Sequence, residues 1–146
     1  MNINILCVGK LKEKFWIDAA AEYIKRLGKY CALQIGEIKE STPDAEGANI
    51  LKKIKKEEYV IALAVSGEEI DSAGLSSVIK NLSVSGKSKI VFLIGGSDGL
   101  SAEVLARADA TLSFSKMTYP RQLMRVILLE QLYRSFKIIG NEKYHK

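Results

Sequence analysis

Apolar residues along the chain recur with two alternating periods, near two and near three and a half, and each switch of period marks a change of element. Residues 2–8 (NINILCV) gather β-branched and apolar side chains and predict a strand. Residues 13–28 predict a helix, with Phe15, Ala19, Tyr23 and Leu27 at helical spacing and Gly28 able to cap its end. From Cys31 to Ile38 the alternation is that of a half-buried strand with a slip at Gly36, which predicts a bulge. Residues 41–47 (STPDAEG) carry turn chemistry and predict a flexible loop, leading into a short lysine-rich helix over about 46–57. Strands follow over 59–65, 88–94 and 110–114, and a helix over 72–82 buries Leu75, Val78, Ile79 and Leu82 on one face. Leu100 and Leu105 flank Ser101 as a hydrophobic staple around an N-cap, so a short helix starts there. The longest helix runs over 122–139 and Gly140 ends it.

Strands that alternate with helices across short loops predict an α/β fold: a three-layer sandwich around a parallel sheet, in a single domain over 1–146. Ligands of such sheets bind at the carboxyl ends of strands. Three ends carry suggestive residues: SGEE after Val65, GGSDG after Ile94 and SKMTYP after Phe114. GGSDG is neither a GxGxxG fingerprint nor a Walker A loop. It serves either as a cradle for a ligand approached by backbone N–H groups or as a turn joining strand to helix. Asp98 either hydrogen-bonds a ribose or a cationic group, or stabilises that turn. In the second loop Phe114, Met117 and Tyr119 either enclose a flat ring or pack in the core.

Composition narrows the class. Hydrophobic residues make up 47% and charged residues 27%, the balance of a globular chain. The apolar runs are too short to span a bilayer and the start of the chain has no signal-peptide pattern, so a cytoplasmic location is expected. Cys7 and Cys31 sit in apolar runs and are expected as free, buried thiols. The net charge of +5 is carried by residues 116–146, where seven basic residues face Glu130 and Glu142. That excess is either a solvated helix face or a surface for phosphates. The lysine-rich stretch near residues 51–58 is balanced by acids and is read as a solvated face. The last residues combine Tyr144, the only histidine (His145), Lys143 and Lys146. This set suits single-stranded RNA, with a ring to stack, cations for phosphate and an imidazole to take a proton, although such a tail is also commonly disordered. One histidine and two scattered cysteines do not make a standard zinc site, and there is no G-x-S-x-G elbow.

The segments LIGGSDGL and SFSKMTYPRQLMRVILLEQLYRSFKIIGNEKYHK strongly resemble the bacterial 23S ribosomal RNA (pseudouridine-N3) methyltransferases of the SPOUT superfamily. The likeness runs the full length and is most specific in the C-terminal block. It implies a C-terminal trefoil knot, S-adenosyl-L-methionine as methyl donor, an obligate homodimer, and 23S rRNA in the 50S subunit or 70S ribosome as substrate; neither DNA nor a membrane is expected as a partner, and no metal is implied. Leu63, Gly95, Phe114, Ser115, Lys116, Met117, Thr118 and Tyr119 match the family's cofactor positions. His145 is the expected base for the N3 proton, Tyr144 stacks on or orients the target, and Arg134 and Lys146 hold phosphate or the developing oxyanion. The tail is expected to act in the partner's site, with the apolar face of 122–139 in the interface. The chain departs from the family at Arg121, where a histidine is usual, and an arginine there suits phosphate. The competing readings are a Rossmann-like nucleotide-binding enzyme with a phosphate on GGSDG, and a non-catalytic RNA-binding module of the ribosome.

Overall fold

The computed structural model describes residues 1–146. Strands and helices alternate throughout: β1 (Asn2–Val8), α1 (Lys14–Leu27), β2 (Ala32–Ile38), α2 (Pro43–Lys53), β3 (Tyr59–Glu69), α3 (Ser72–Val84), β4 (Lys89–Ile94), α4 (Ala102–Arg107), β5 (Ala110–Ser113) and α5 (Arg121–Ile139). The strands form one parallel sheet in the order β2-β1-β4-β3-β5. Side chains alternate across it, as the two-residue period requires. Ile3, Ile5 and Cys7 of β1 and Ile90, Phe92 and Ile94 of β4 face α1, α3 and α5, where Leu27, Leu75, Ile79, Leu128 and Leu132 close the larger core. Leu6, Val8, Val91 and Leu93 face the other way, against Ile50 of α2 and Val104 of α4. The three layers expected from the alternation are therefore present, with a buried face on each side of the sheet.

Local chemistry sets the element ends. Ser101 Oγ accepts from the Val104 amide at 3.3 Å, the cap expected for α4. Asp71 does the same for α3, accepting from the Gly74 amide at 2.7 Å. The helix expected over 46–57 begins earlier, at Pro43, because Thr42 caps it by accepting from Ala45 at 3.2 Å and proline fits the first helical position. Much of the stretch read as a flexible loop is thus helical, and α2 stops at Lys53. The bulge expected at Gly36 is absent: β2 pairs with β1 in unbroken register through Leu6↔Gly36 and Val8↔Ile38. The glycine instead makes room, since a Cβ there would lie 2.8 Å from Cδ2 of Leu6. β3 also runs past Val65 and takes in Ser66–Glu69, re-pairing with β5 after a register shift between Leu63 and Glu68. The SGEE segment is therefore strand rather than a loop at a strand end.

At the far end of α5, Gly140 has an ordinary negative φ and Asn141 takes the left-handed conformation, φ 53°. The Glu142 amide donates to Lys137 C=O at 2.9 Å and the Asn141 amide to Ile138 C=O at 3.0 Å, the two bonds of a Schellman motif. That motif turns the last residues back along the helix. Both cysteines are free; Cys7 is buried as expected and Cys31 only half-buried, and burial pushes each thiol up to about 11.

Candidate active site

The carboxyl ends of β3 and β4 and the loop from β5 to α5 enclose a cavity of about 770 Å³. Its size is that of a small-molecule site. Leu63, Ala64 and Val65 form one wall, Gly95 to Ser97, Gly99 and Leu100 a second, and Phe114, Ser115, Met117 to Gln122 and Met124 the third. The second wall is a tight turn. The Gly99 amide donates to Gly96 C=O at 3.0 Å, and Gly99 has φ 81°. A Cβ on Gly95 would lie 2.9 Å from the carbonyl carbon of Gly99, so only glycine lets the turn close on itself there. In the third wall Ser115 organises the loop: its Oγ accepts from the Met117 amide at 2.9 Å, and its carbonyl accepts from Ser113 Oγ at 2.8 Å.

Of the eight cofactor residues read from the sequence, Leu63, Gly95, Phe114, Ser115, Met117, Thr118 and Tyr119 line this one cavity. Lys116 does not; its side chain is exposed and reaches Glu69 at 3.7 Å. Phe114 and Tyr119 are half-buried, whereas Met117 stands 72% exposed at the mouth. Arg121, Gln122 and Met124 complete the wall.

Beneath that wall lies an arrangement the sequence did not announce. Arg125, counted in the basic excess expected either as a solvated face or as a phosphate surface, is buried. Its Nη1 donates to Glu37 Oε2 at 2.9 Å and its Nη2 to Gly9 C=O at 3.0 Å. Arg121, one turn earlier, pairs with Glu40 and packs on Gly9, which has φ 92° and no room for a Cβ beside the Arg121 guanidinium. The two arginines thus tie the first turn of α5 to the ends of β1 and β2. The Nε atoms of both are buried without a hydrogen-bond partner.

The expected phosphate surface of residues 116–146 is mostly not free. Lys116, Arg121, Arg125, Arg134 and Lys137 each form an ion pair within the chain, leaving Lys143 and Lys146. A charge count along the sequence cannot register such pairing, because the partners Glu37, Glu40 and Glu69 lie far away in the chain.

The tail is folded back on α5. Tyr144 donates to Glu130 Oε1 at 3.0 Å, and its ring lies edge-on to Tyr133 with centroids 4.9 Å apart. Arg134 also bonds Glu130, at 2.6 Å, and its guanidinium lies 4.8 Å from the Tyr144 ring centre. Burial first, and then the Glu130 bond, raise the Tyr144 phenol to about 12, so it stays a proton donor. Arg134 Nη1 stands 3.1 Å from His145 Nδ1, which occupies a lone pair that a base would use. Glu130 therefore joins Arg134, Tyr144 and His145 in one cluster, although its place in the helix pattern gives no sign of that role. Lys146 is exposed at the end of the chain and forms no ion pair.

The cluster and the cavity occupy opposite ends of the sheet. Gly9, after the carboxyl end of β1, marks the Arg121 end of α5. Tyr30, before the start of β2, donates to Glu142 at 3.0 Å and marks the tail. Thirteen residues of helix separate Arg121 from Arg134, or about 20 Å. The chain's own His145 therefore does not reach its own cavity.

Comparison with known proteins agrees with this architecture. A family model described as "Predicted SPOUT methyltransferase" matches residues 1–145. The ribosomal RNA large subunit methyltransferase H of Clostridium novyi is 53% identical, and that of Clostridium beijerinckii 51%, each alignment covering all of both chains. The structure of a probable methylase family protein from Haemophilus influenzae superposes with a TM-score of 0.60 over 99% of this chain and 70% of that one, at 18% identity, a likeness of fold. With its parallel α/β sheet, a cavity at the strand ends and these relatives along its whole length, the chain belongs to the SPOUT methyltransferase family.

Proposed function

We propose that the protein transfers a methyl group from S-adenosyl-L-methionine to N3 of a pseudouridine in 23S ribosomal RNA, acting as a homodimer on the assembled 50S subunit or 70S ribosome. The observation that carries this reading is the separation of a small-molecule cavity from an RNA-suited tail at opposite ends of one short chain. The cavity fits the methyl donor in its volume, in the close backbone of the Gly95–Gly99 turn and in its mixture of apolar side chains with loop amides. When bound there, the donor supplies a methyl group already activated by its sulfonium. Leu63 and Phe114 bury the flat part of the donor, and the backbone of Ser115 to Tyr119 offers amides and carbonyls to its polar edges. Lys116 acts from outside the cavity, in place of the direct contact expected from the family.

The tail would then serve the partner's cavity. Leu123 and Ile127 of α5, half-buried and outside both core clusters, are available for the contact. His145 accepts the N3 proton once Arg134 has turned from its Nδ1 to the substrate, Tyr144 orients the base as a hydrogen-bond donor, and Lys146 holds phosphate. Proton removal matters because N3 is a poor nucleophile until its proton leaves. The trefoil knot implied by the family likeness would lie in the C-terminal part of the chain.

The test is transfer of tritiated methyl from S-adenosyl-L-methionine to ribosomes, with the modified nucleotide mapped. Label on a pseudouridine of 23S rRNA, from ribosomes far better than from naked RNA, is the expected result. Absence of label from ribosomes, or label on another nucleotide, overturns the reading.

A further inference from the structure

We infer that Lys10, Lys12 and Phe15 form a second contact for single-stranded RNA, on the rim of the cavity and separate from the tail. The inference rests on the reading that RNA is the substrate. Five of the seven cations in the C-terminal segment are consumed by internal ion pairs, so the positive charge that meets the substrate has to come partly from elsewhere.

The loop after β1 supplies it. Gly9 packs against Arg121, which lines the cavity, so the loop that carries Lys10 and Lys12 and leads into Phe15 leaves from beside the cavity wall. Lys10 and Lys12 are exposed and form no ion pair. Phe15, at the start of α1, is 63% exposed, the most exposed aromatic ring among the chain's large hydrophobic residues. It is held in place by Trp16, with ring centroids 4.8 Å apart and planes tilted by 58°. A solvent-facing ring with two unpaired cations three and five residues before it has the chemistry of a stacking platform for an unpaired base with its phosphates nearby. Of its charged neighbours in sequence, Lys14 and Asp18 pair with each other at 2.5 Å, and Glu13 is outnumbered by Lys10 and Lys12. The surface therefore stays cationic. A second copy of the chain is the poorer occupant, because an isologous contact centred on this surface would bring lysines against lysines.

The experiment compares the full-length protein with Phe15→Ala and with Lys10→Ala/Lys12→Ala, measuring methyl transfer to ribosomes over a range of ribosome concentrations and salt. The ribosome KM is expected to rise about tenfold for Phe15→Ala, the scale of one lost base stack, with kcat and S-adenosylhomocysteine affinity unchanged within about twofold. For the double lysine variant the salt slope of log(kcat/KM) is expected to fall by about 1.4, two phosphate contacts to a single strand. An unchanged KM and salt slope overturns the inference while leaving methyl transfer by the parent protein intact. Sedimentation velocity of the same variants adds a second criterion: dissociation caused by Phe15→Ala assigns the surface to self-association and also overturns it. Failure of the parent protein to label ribosomes at all is the separate sign that the RNA reading itself has failed, and the inference falls with it.

Discussion

Arg125 Nη1 donates a 2.9 Å hydrogen bond to Glu37 Oε2 across 88 residues of sequence, and this bond fastens the start of α5 to the end of β2. The guanidinium is buried, so water does not replace the carboxylate when it is lost. Glu37→Ala, which leaves the buried guanidinium uncompensated, is expected to destabilise the fold by about 3 kcal/mol. Glu37→Gln, which keeps a hydrogen-bond acceptor, is expected to cost about 1–2 kcal/mol. Urea unfolding measures both, and equal stability of Glu37→Ala and the parent chain contradicts the account.

Gly95 tests the cavity. A single methyl group added at this position would meet the backbone of Gly99 at 2.9 Å and force the two sides of the turn apart. Gly95→Ala should weaken S-adenosylhomocysteine binding about tenfold or more in calorimetry, while β4, whose hydrogen bonds end at Ile94, keeps the chain folded. Parent-like affinity would remove the Gly95–Gly99 turn from the cofactor site.

His145→Ala should lower the single-turnover rate by about 10²–10⁴-fold with cofactor affinity retained, the usual contribution of a positioned base. Deleting residues 142–146 should be more severe, since Tyr144 and two cations go as well. A His145→Ala rate equal to that of the parent would mean that another group takes the proton.

The distance between tail and cavity predicts complementation. Gly95→Ala and His145→Ala chains, mixed and reassociated in equal amounts, should form heterodimers in which one of two sites carries neither defect. If each cavity uses the other chain's tail, activity returns to about a quarter of the parent level, from half the dimers with one good site each. If each chain used its own tail, every site would keep one defect and mixing would restore nothing.

The thiols give a pH dependence. Cys7 and Cys31 titrate near 11 in the fold against 9.0 for the free group, chiefly because burial disfavours the thiolate. The folded chain thus holds more protons than the unfolded chain between these values. Their contribution to stability is complete below pH 9 and is lost as pH rises toward 11. The fall in urea midpoint over that window should be shallower in a Cys7→Ala/Cys31→Ala chain, and alkylation of the native thiols at pH 8 should be slow until the chain is unfolded.

Much of the fold was legible because it follows from local rules. Ser101 reads as a cap wherever it is met, flanked by Leu100 and Leu105, and the five strands betray themselves by apolar runs between turns. What escaped depends on distant neighbours. Gly36 looks like a bulge until the Leu6 side chain is seen to need its space. Ser66–Glu69 reads as polar loop because the β5 strand that captures it lies more than forty residues on. For the site, one loop of cavity residues was visible as a contiguous segment, and the family likeness supplied its meaning. Arg125 was hidden, since nothing in a helix periodicity distinguishes a buried arginine anchored to Gly9 from a solvated one, and Arg121, noticed as a residue suited to phosphate, is instead paired with Glu40.

The position of β1 in the sheet has a consequence for how the protein is made. Its neighbours are β2 and β4, and Asn2 stands opposite Lys89. While the chain is being synthesised, the first strand must wait with one hydrogen-bonding edge open until nearly two thirds of the polypeptide has been extruded. Pairing over so long a separation is slow. Until then the free edge of β1 is open to stray pairing with any other exposed strand.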